Sequence, residues 1–133
     1  MKFISTKNAP QAIGPYSQAV EANGMIYTSG QIGLTPEGVF SAADVAGQMH
    51  QVMKNLIAVL DAGGVTLNEV IKTTIFLADM NDFAIVNDIY ASYFGTHRPV
   101  RSTVAVKTLP VNALVEIDCV ALSSGQTGGD YSY

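Results

Sequence analysis

The stretch Asp44-Val-Ala-Gly-Gln-Met-His-Gln-Val-Met-Lys-Asn-Leu-Ile-Ala-Val-Leu60 decides the fold, because it predicts the helix around which the other elements are arranged. Ser41 and Asp44 resemble a capping box at its start, and Gly63-Gly64 predicts its end. Its apolar residues recur at spacings of three and four, the period of one helix face; they are Val45, Met49, Val52, Leu56, Val59 and Leu60. We therefore expect an amphipathic helix that packs against a sheet.

Downstream of this helix, the chain predicts a strand and a second helix. Residues 70–78 read Val-Ile-Lys-Thr-Thr-Ile-Phe-Leu-Ala, which is rich in β-branched residues and typical of a largely buried strand. Apolar residues again follow a helical period from Asp82 to Phe94. Gly95 and Pro99 then prevent the helix from continuing.

Upstream, Asn23-Gly24 predicts a β-hairpin. This dipeptide tolerates positive φ at both central positions of a type I′ turn, so residues 17–22 should pair with residues 25–29. The pairing places Gln18 opposite Ser29, at the open end of the hairpin.

A second hairpin is predicted near the C-terminus, where residues 102–108 would pair with residues 113–122 across a four-residue loop that includes Val111. One face would then hold the apolar side chains Val104, Val106, Val115, Ile117 and Cys119. The opposite face would hold Ala105 together with four polar or charged side chains, namely Arg101, Thr103, Glu116 and Asp118.

Length and composition predict one ordered domain. Of 133 residues, 48% are hydrophobic and 14% are charged, against about 25% charged in an average soluble domain. A disordered chain is excluded, and one domain over residues 1–122 with a flexible tail over residues 123–133 is expected. The elements predict an α+β fold with both helices on one face of the sheet. Because so few charges are available, the other face is expected to meet another subunit.

Charge and cysteine content exclude several functions. A net charge of −4 and a pI of about 4.8 leave little to neutralise phosphates, so nucleic acid is an improbable partner. Cys119, the single cysteine, falls among the core residues and is expected to be an inert buried thiol. No disulfide, metal cluster, signal segment or membrane span is expected, which predicts a cytoplasmic protein.

Arg101 and Glu116 are the candidates for chemistry. As neighbours on one sheet face they could form an exposed ion pair worth under about 1 kcal/mol. Alternatively, Arg101 could hold a carboxylate through two parallel hydrogen bonds while Glu116 handles a water or a proton. Spacing alone slightly favours the ion pair and leaves both interpretations open.

An ordered series of motifs resembles the reactive intermediate deaminase A family of 2-iminobutanoate/2-iminopropanoate deaminases, also called the YjgF family. The resemblance covers about residues 8 to 122. Its motifs are Asn8-Ala-Pro, Ile13-Gly-Pro-Tyr-Ser-Gln-Ala19, Ser29-Gly-Gln31, Lys72-Thr-Thr-Ile-Phe-Leu, Val86-Asn-Asp-Ile-Tyr90, Arg98-Pro-Val-Arg-Ser102, Leu109-Pro110 and Val115-Glu-Ile117.

The resemblance implies a chorismate-mutase-like (ferredoxin-like) fold and a homotrimer with a barrel-like centre and sites between subunits. It implies hydrolysis of reactive 2-imino acids to 2-oxo acids and ammonia, with no cofactor and no metal. Arg101 would clamp the substrate carboxylate and Glu116 would position or activate water. Five further residues would complete the site, namely Tyr16 and Ser29 as proton relays and Asn87, Thr103 and Gly30 as substrate-binding groups.

Two positions depart from the family pattern. Position 103, often cysteine in relatives, is Thr103, whose backbone carbonyl could still hold a water; position 111, often basic, is Val111. The alternative function is a non-catalytic trimer that senses 2-oxo acids. Ribonuclease activity, also assigned to members of this family, fits the acidic charge poorly.

Overall fold

The computed structural model describes residues 1–124. The α+β class is confirmed, with helices packed on one face of a mixed sheet. In this part of the chain the elements are β1 (Lys2–Ile4), β2 (Ala19–Ala22), β3 (Met25–Thr28), β4 (Gln31–Ile32), α1 (Val45–Ala62), β5 (Val70–Leu77), α2 (Phe83–Phe94), β6 (Val100–Ala105) and β7 (Val115–Leu122). Of the predicted tail, residues 125–133 lie outside the described residues. No helix within residues 1–124 is long and apolar enough to cross a membrane.

Helix α1 confirms the prediction for residues 44–60, but the predicted capping box is wrong. Asp44 itself is the N-cap, and its side chain accepts a hydrogen bond from the Gly47 backbone N–H at 3.2 Å. Aspartate is among the strongest N-cap residues, so Ser41 is not needed in that role. Gly63 and Gly64 end the helix as predicted, the latter at a φ of 85°.

The core lies between the helices and the sheet. Helix α2 contributes Val86, Tyr90 and Phe94. The largest fully buried side chains from α1, β5 and β7 are Met49, Met53, Leu56, Leu60, Ile75, Leu77 and Ile117. Each such side chain stabilises the fold by about 1.5–3 kcal/mol, which fixes both helices on this face.

The sheet has the strand order β1-β2-β3-β7-β5-β6, with β4 beside β7. The hairpin of β2 and β3 has the predicted register, with Val20 opposite Tyr27. Asn23 and Gly24 take φ values of 53° and 77°, as a type I′ turn requires.

The predicted C-terminal hairpin is wrong. Strand β6 pairs in parallel with β5, and β7 pairs with the other side of β5 in antiparallel sense. The reason is the helix: a strand-helix-strand crossover returns the chain beside the strand from which it left, so β6 takes the place next to β5. Residues 106–114 then carry the chain past β5 to reach β7.

This topology also corrects the predicted faces. Arg101 and Thr103 are in register with the buried Thr73 and Ile75, so they lie on the helix-covered face. Val104 lies on the other face and is 41% exposed, not in the core. Glu116 also lies on that other face, because it alternates along β7 with buried core residues.

The sheet face without helices, which we call the open face, carries apolar side chains. Phe3, Tyr27, Val100 and Val104 are exposed there, with Phe3 at 68% and Val100 at 67%. Apolar area of this kind is typical of surfaces that bind a partner. Its burial by another subunit stays a prediction.

Candidate active site

A cavity of about 650 Å³ opens beside Glu116, and we call it the glutamate cavity. Tyr16, Gly30 and Glu116, three of the predicted site residues, line it together. Its walls come from the N-terminal loop, the segment from Gly30 to Phe40, and the turn after Leu109. The structure therefore brings together residues that lie up to 100 positions apart in the sequence, Tyr16 and Glu116.

Gly30 permits the close approach of the Glu116 carboxyl group. A Cβ atom at position 30 would lie 2.8 Å from Glu116 Cδ, closer than real Cβ contacts occur. Burial raises the pKa of Glu116, and the neighbouring Asp118 raises it further. Glu116 therefore exchanges protons at a higher pH than an exposed glutamate, as a general acid or base requires.

Residues 5–18, between β1 and β2, form a loop that carries Tyr16, and we call it the Tyr16 loop. Gln18 holds this loop, a role that was not predicted from the sequence. The buried Gln18 side chain accepts from the Thr6 backbone N–H at 2.7 Å and donates to the Pro10 carbonyl at 2.8 Å. Its position at the open end of the predicted hairpin was the available signal. The amide thus ties the end of this loop to its beginning, and the half-exposed Tyr16 ring, two residues before Gln18, lines the cavity.

Ser29 does not line either cavity described here. Its backbone N–H donates to the Gln18 carbonyl at 2.9 Å, and its Oγ donates to the Ser17 carbonyl. The hydroxyl thus ties the end of β3 to the Tyr16 loop. Its predicted role as a proton relay stays a prediction.

A second cavity of about 310 Å³, the arginine cavity, lies between α2 and the start of β6. Its lining residues are Asn87, Tyr90, Ala91, Arg98, Pro99 and Arg101. Arg98 and Arg101 are the two arginines of the chain, and none of the six lining residues is acidic. A concave, cationic surface of this kind suits a small anion.

Aromatic rings hold the Arg101 guanidinium. Its Cζ atom lies 4.9 Å from the ring centroid of Tyr90 and 5.7 Å from that of Phe83. Tyr90 is fixed in turn, since its hydroxyl and that of Thr73 lie 2.8 Å apart and share a hydrogen bond. Contacts with ring faces leave the planar donors of Arg101 free for a carboxylate.

Arg98 and Thr103 have different surroundings from Arg101. Arg98 donates to the backbone carbonyls of Gly95 and His97, which braces the loop before β6. The Thr103 hydroxyl is buried without a hydrogen-bond partner in the described chain, and it does not line the arginine cavity. The implied substrate contact of Thr103 stays a prediction.

Arg101 and Glu116 do not meet within one chain, so the interpretation as an ion pair, which spacing alone slightly favoured, is wrong. Strand β5 separates them, and Arg101 is in register with Thr73 whereas Glu116 is in register with Phe76. Two strand spacings and three residues put their backbones about 10 Å apart in each direction. Their side chains also point to opposite faces of the sheet.

Cysteine and metal chemistry have little support in the described chain. Cys119 is buried as predicted, and burial raises its pKa to about 12. No group of three or more His, Cys, Asp or Glu side chains within residues 1–124 could hold a metal ion.

Fold and site together define a class: small α+β domains in which a cationic cavity and an acidic cavity lie apart on one chain. The family model described as endoribonuclease L-PSP matches residues 6–123, and the chain belongs to this family, which includes YjgF and reactive intermediate deaminase A. The expected resemblance is confirmed.

Three relatives illustrate the similarity. The chain is 50% identical over 121 residues to the chloroplastic Reactive Intermediate Deaminase A of Arabidopsis thaliana, covering 90% of this chain and 65% of that protein. It is 48% identical over 122 residues to the 2-iminobutanoate/2-iminopropanoate deaminase of Mus musculus, covering 91% and 90%. The crystal structure of E. coli TdcF with bound serine gives a TM-score of 0.89 at 41% identity, covering 93% of this chain and 100% of that one.

Proposed function

We propose that this protein hydrolyses 2-imino acids, such as 2-iminobutanoate and 2-iminopropanoate, to 2-oxo acids and ammonia. The observation that carries the proposal is that one chain holds a cationic cavity with Arg101 and a separate cavity with Glu116, which strand β5 keeps apart. The arginine cavity of one subunit is completed by the glutamate cavity of a second copy. The names of the plant and mouse relatives support this reaction.

Arg101 binds the substrate carboxylate. Its guanidinium plane offers two parallel N–H donors, and the Tyr90 and Phe83 rings fix the orientation of that plane. Asn87 lines the same cavity and supplies an amide that can donate to the substrate or accept from it. Holding the substrate in this way contributes much of the rate acceleration, because the imine carbon is already electrophilic.

Glu116 handles the water and the protons. A water molecule forms a C–O bond to the carbon of the protonated imine (C=NH2+) while Glu116 takes one water proton, and the C=N π electrons become the nitrogen lone pair of a neutral carbinolamine. Glu116 then gives that proton to the amino nitrogen; as the C–N bond breaks, the hydroxyl proton passes to Glu116, the carbonyl forms, and ammonia leaves and carries the proton of Glu116 away as ammonium. The raised pKa of Glu116 suits these transfers. Tyr16 lines the same cavity and can relay a proton, and Ser29 braces its loop.

The partner is another copy of the same chain, arranged as a homotrimer. The open face with Phe3, Tyr27, Val100 and Val104 supplies apolar area for such an interface. In a cyclic assembly, each subunit supplies its arginine cavity to one neighbour and its glutamate cavity to the other, so every cavity forms part of a site. No metal or cofactor takes part in this mechanism.

The second candidate function is a trimer that binds 2-oxo acids without turnover. The E. coli relative crystallised with bound serine favours it, since that protein holds a small carboxylate intact. The net charge of −4 gives no comparable support to cleavage of RNA.

Turnover separates the two functions. Threonine dehydratase generates 2-iminobutanoate in the assay, and ammonia and 2-oxobutanoate are followed with and without the protein. The deaminase accelerates their release above the spontaneous rate, whereas a sensor binds 2-oxobutanoate in calorimetry and leaves the release rate unchanged. The latter result would overturn the proposal.

A further inference from the structure

The turn after β6 holds a strained valine at the glutamate cavity. Val111 and Asn112 have φ values of 47° and 58°, in the left-handed region that β-branched residues avoid. Hydrogen bonds from Asn112 N–H to the Leu109 carbonyl at 3.1 Å and from Ala113 N–H to the Pro110 carbonyl at 3.0 Å close the turn. Strain of this kind persists where the surrounding structure fixes it, often at ligand sites.

Val111 is exposed although its side chain is aliphatic. The side chain is 59% exposed, although a polar residue would be better solvated there. It lines the glutamate cavity, as do Pro110 and Glu116. The turn therefore presents an aliphatic group to the space next to the proposed acid–base residue.

Several other side chains of the cavity wall are aliphatic or aromatic, although Gln11 and Gln31 also line it. Ile13, Leu34, Val39 and Phe40 line it, and the amide of Gln18 is already used by backbone groups of the N-terminal loop. Its charged lining residues are Glu37 and Glu116, so a second carboxylate would be repelled there. We call the set Ile13, Leu34, Val39, Phe40 and Val111 the apolar wall.

This cavity is larger than a three-carbon substrate requires. Its volume of about 650 Å³ falls within the range of sites that enclose much larger ligands. With the substrate carboxylate on Arg101 and the imine carbon near Glu116, the remaining part of the substrate is its side chain. The apolar wall is the surface that this side chain meets.

We propose that the apolar wall, with Val111 at its rim, binds the side chain of the substrate and makes the enzyme prefer 2-imino acids with longer or branched aliphatic side chains. This inference rests on the proposed imine hydrolysis. Each methylene group buried against the wall favours binding about fourfold. We therefore expect kcat/KM for the leucine-derived 4-methyl-2-iminopentanoate to be at least tenfold higher than kcat/KM for 2-iminopropanoate.

The decisive variant is Val111→Asn, because asparagine tolerates the left-handed conformation and removes the aliphatic surface. Ile57→Asn, which changes an exposed isoleucine on α1 that lines neither cavity, is the control. Thermal unfolding and gel filtration show whether each variant keeps its fold and assembly.

The assay uses an L-amino-acid oxidase to generate each imino acid in the presence of semicarbazide, and the protein's activity is the decrease in semicarbazone formed. Val111→Asn should reduce kcat/KM for the leucine-derived substrate about fourfold or more relative to kcat/KM for 2-iminopropanoate. Ile57→Asn should retain the preference of the original chain. Equal kcat/KM values for the two substrates, or an equal loss of both in Val111→Asn, would overturn the inference.

Binding of the products separates this inference from the proposed function. Calorimetry with 4-methyl-2-oxopentanoate and 2-oxopropanoate measures how much the apolar wall contributes to binding affinity, without any turnover. If the longer acid binds more tightly and Val111→Asn removes this difference, the apolar wall is supported even when no imine is hydrolysed. Absence of imine hydrolysis would refute only the proposed deaminase function. Equal affinities for the two acids would refute the wall whatever the turnover.

Discussion

The arginine cavity and the glutamate cavity differ in almost every property. The first is about 310 Å³, carries both arginines and lies against α2 on the helix-covered face. The second is about 650 Å³, carries Glu116 and a largely apolar wall, and is built from loops around β4 and β7. One is suited to holding an anion and the other to moving a proton beside an apolar group.

The difference teaches that neither cavity alone suffices for the proposed hydrolysis. An arginine without an acid–base group can bind but not hydrolyse, and a glutamate without a cation has no means of orienting an anionic substrate. Because β5 keeps the two apart in one chain, the proposed reaction requires two copies. In the proposed mechanism, the oligomer is then part of the catalytic site.

The largest effect is expected at Arg101. Arg101→Ala should lower kcat/KM for 2-iminobutanoate about a thousandfold, because the substrate carboxylate loses its charged partner. Arg101→Lys keeps the charge without the planar fork and should still lose most of the activity. Release of 2-oxobutanoate in the dehydratase assay measures both variants. Full activity of Arg101→Ala would remove the arginine cavity from the mechanism.

Glu116→Gln should lower kcat about a hundredfold or more and change how stability depends on pH. The folded-state pKa of Glu116 is raised above its ordinary value of 4.5, so the folded chain binds this proton more tightly than the unfolded chain. Stability is therefore lost as pH rises from that ordinary value through the folded pKa. The glutamine variant should have the higher Tm at pH 7, and the difference should vanish below about pH 4. An unchanged pH dependence of Tm would contradict the proposed protonation.

Gly30→Ala tests the glutamate cavity more gently. The added Cβ would displace the Glu116 carboxyl group, which should reduce kcat about tenfold while the arginine cavity still binds 2-oxobutanoate. Parallel measurement of turnover and product affinity distinguishes these effects. Unchanged turnover would mean that the position of Glu116 is not critical.

Tyr90→Phe should have the smallest effect on activity, within about threefold, because the ring face under Arg101 remains. It leaves the buried Thr73 hydroxyl without its partner, at a cost of about 1–3 kcal/mol in the free energy of unfolding. Tyr93→Phe, whose hydroxyl lies 2.9 Å from the exposed His50 ring, is the matched control with little expected change. Denaturant unfolding measures both variants. An activity loss as large as that of Arg101→Ala would assign the Tyr90 hydroxyl to catalysis.

Local signals predicted much of the fold. The period of residues 44–60 predicts α1, and Asn23-Gly24 predicts both the turn and the register of its hairpin, since a two-residue loop determines which residues pair. The position of β6 could not be predicted in this way. Its place depends on β5, far away in sequence, and the apolar alternation of Val104 and Val106 resembled that of a core strand.

The candidate site was predicted by resemblance more than by pattern. Spacing alone placed Arg101 and Glu116 on one face, and the structure places them on opposite faces. The position of Gln18 at the end of the hairpin was predictable, but its contacts with Thr6 and Pro10 were not, and no local sequence rule describes the backbone angles of Val111.

Mixing two inactive variants tests the central claim most directly. Arg101→Ala and Glu116→Gln chains are denatured together in equal amounts, refolded, and assayed with 2-iminobutanoate. If each site takes Arg101 from one chain and Glu116 from another, random assembly makes about a quarter of the sites intact, and about a quarter of the wild-type activity should return. The original chain refolded alone and the two variants mixed without denaturation are the controls. Activity no greater than the sum of the two variants, with refolding of the original chain complete, would contradict a site shared between subunits.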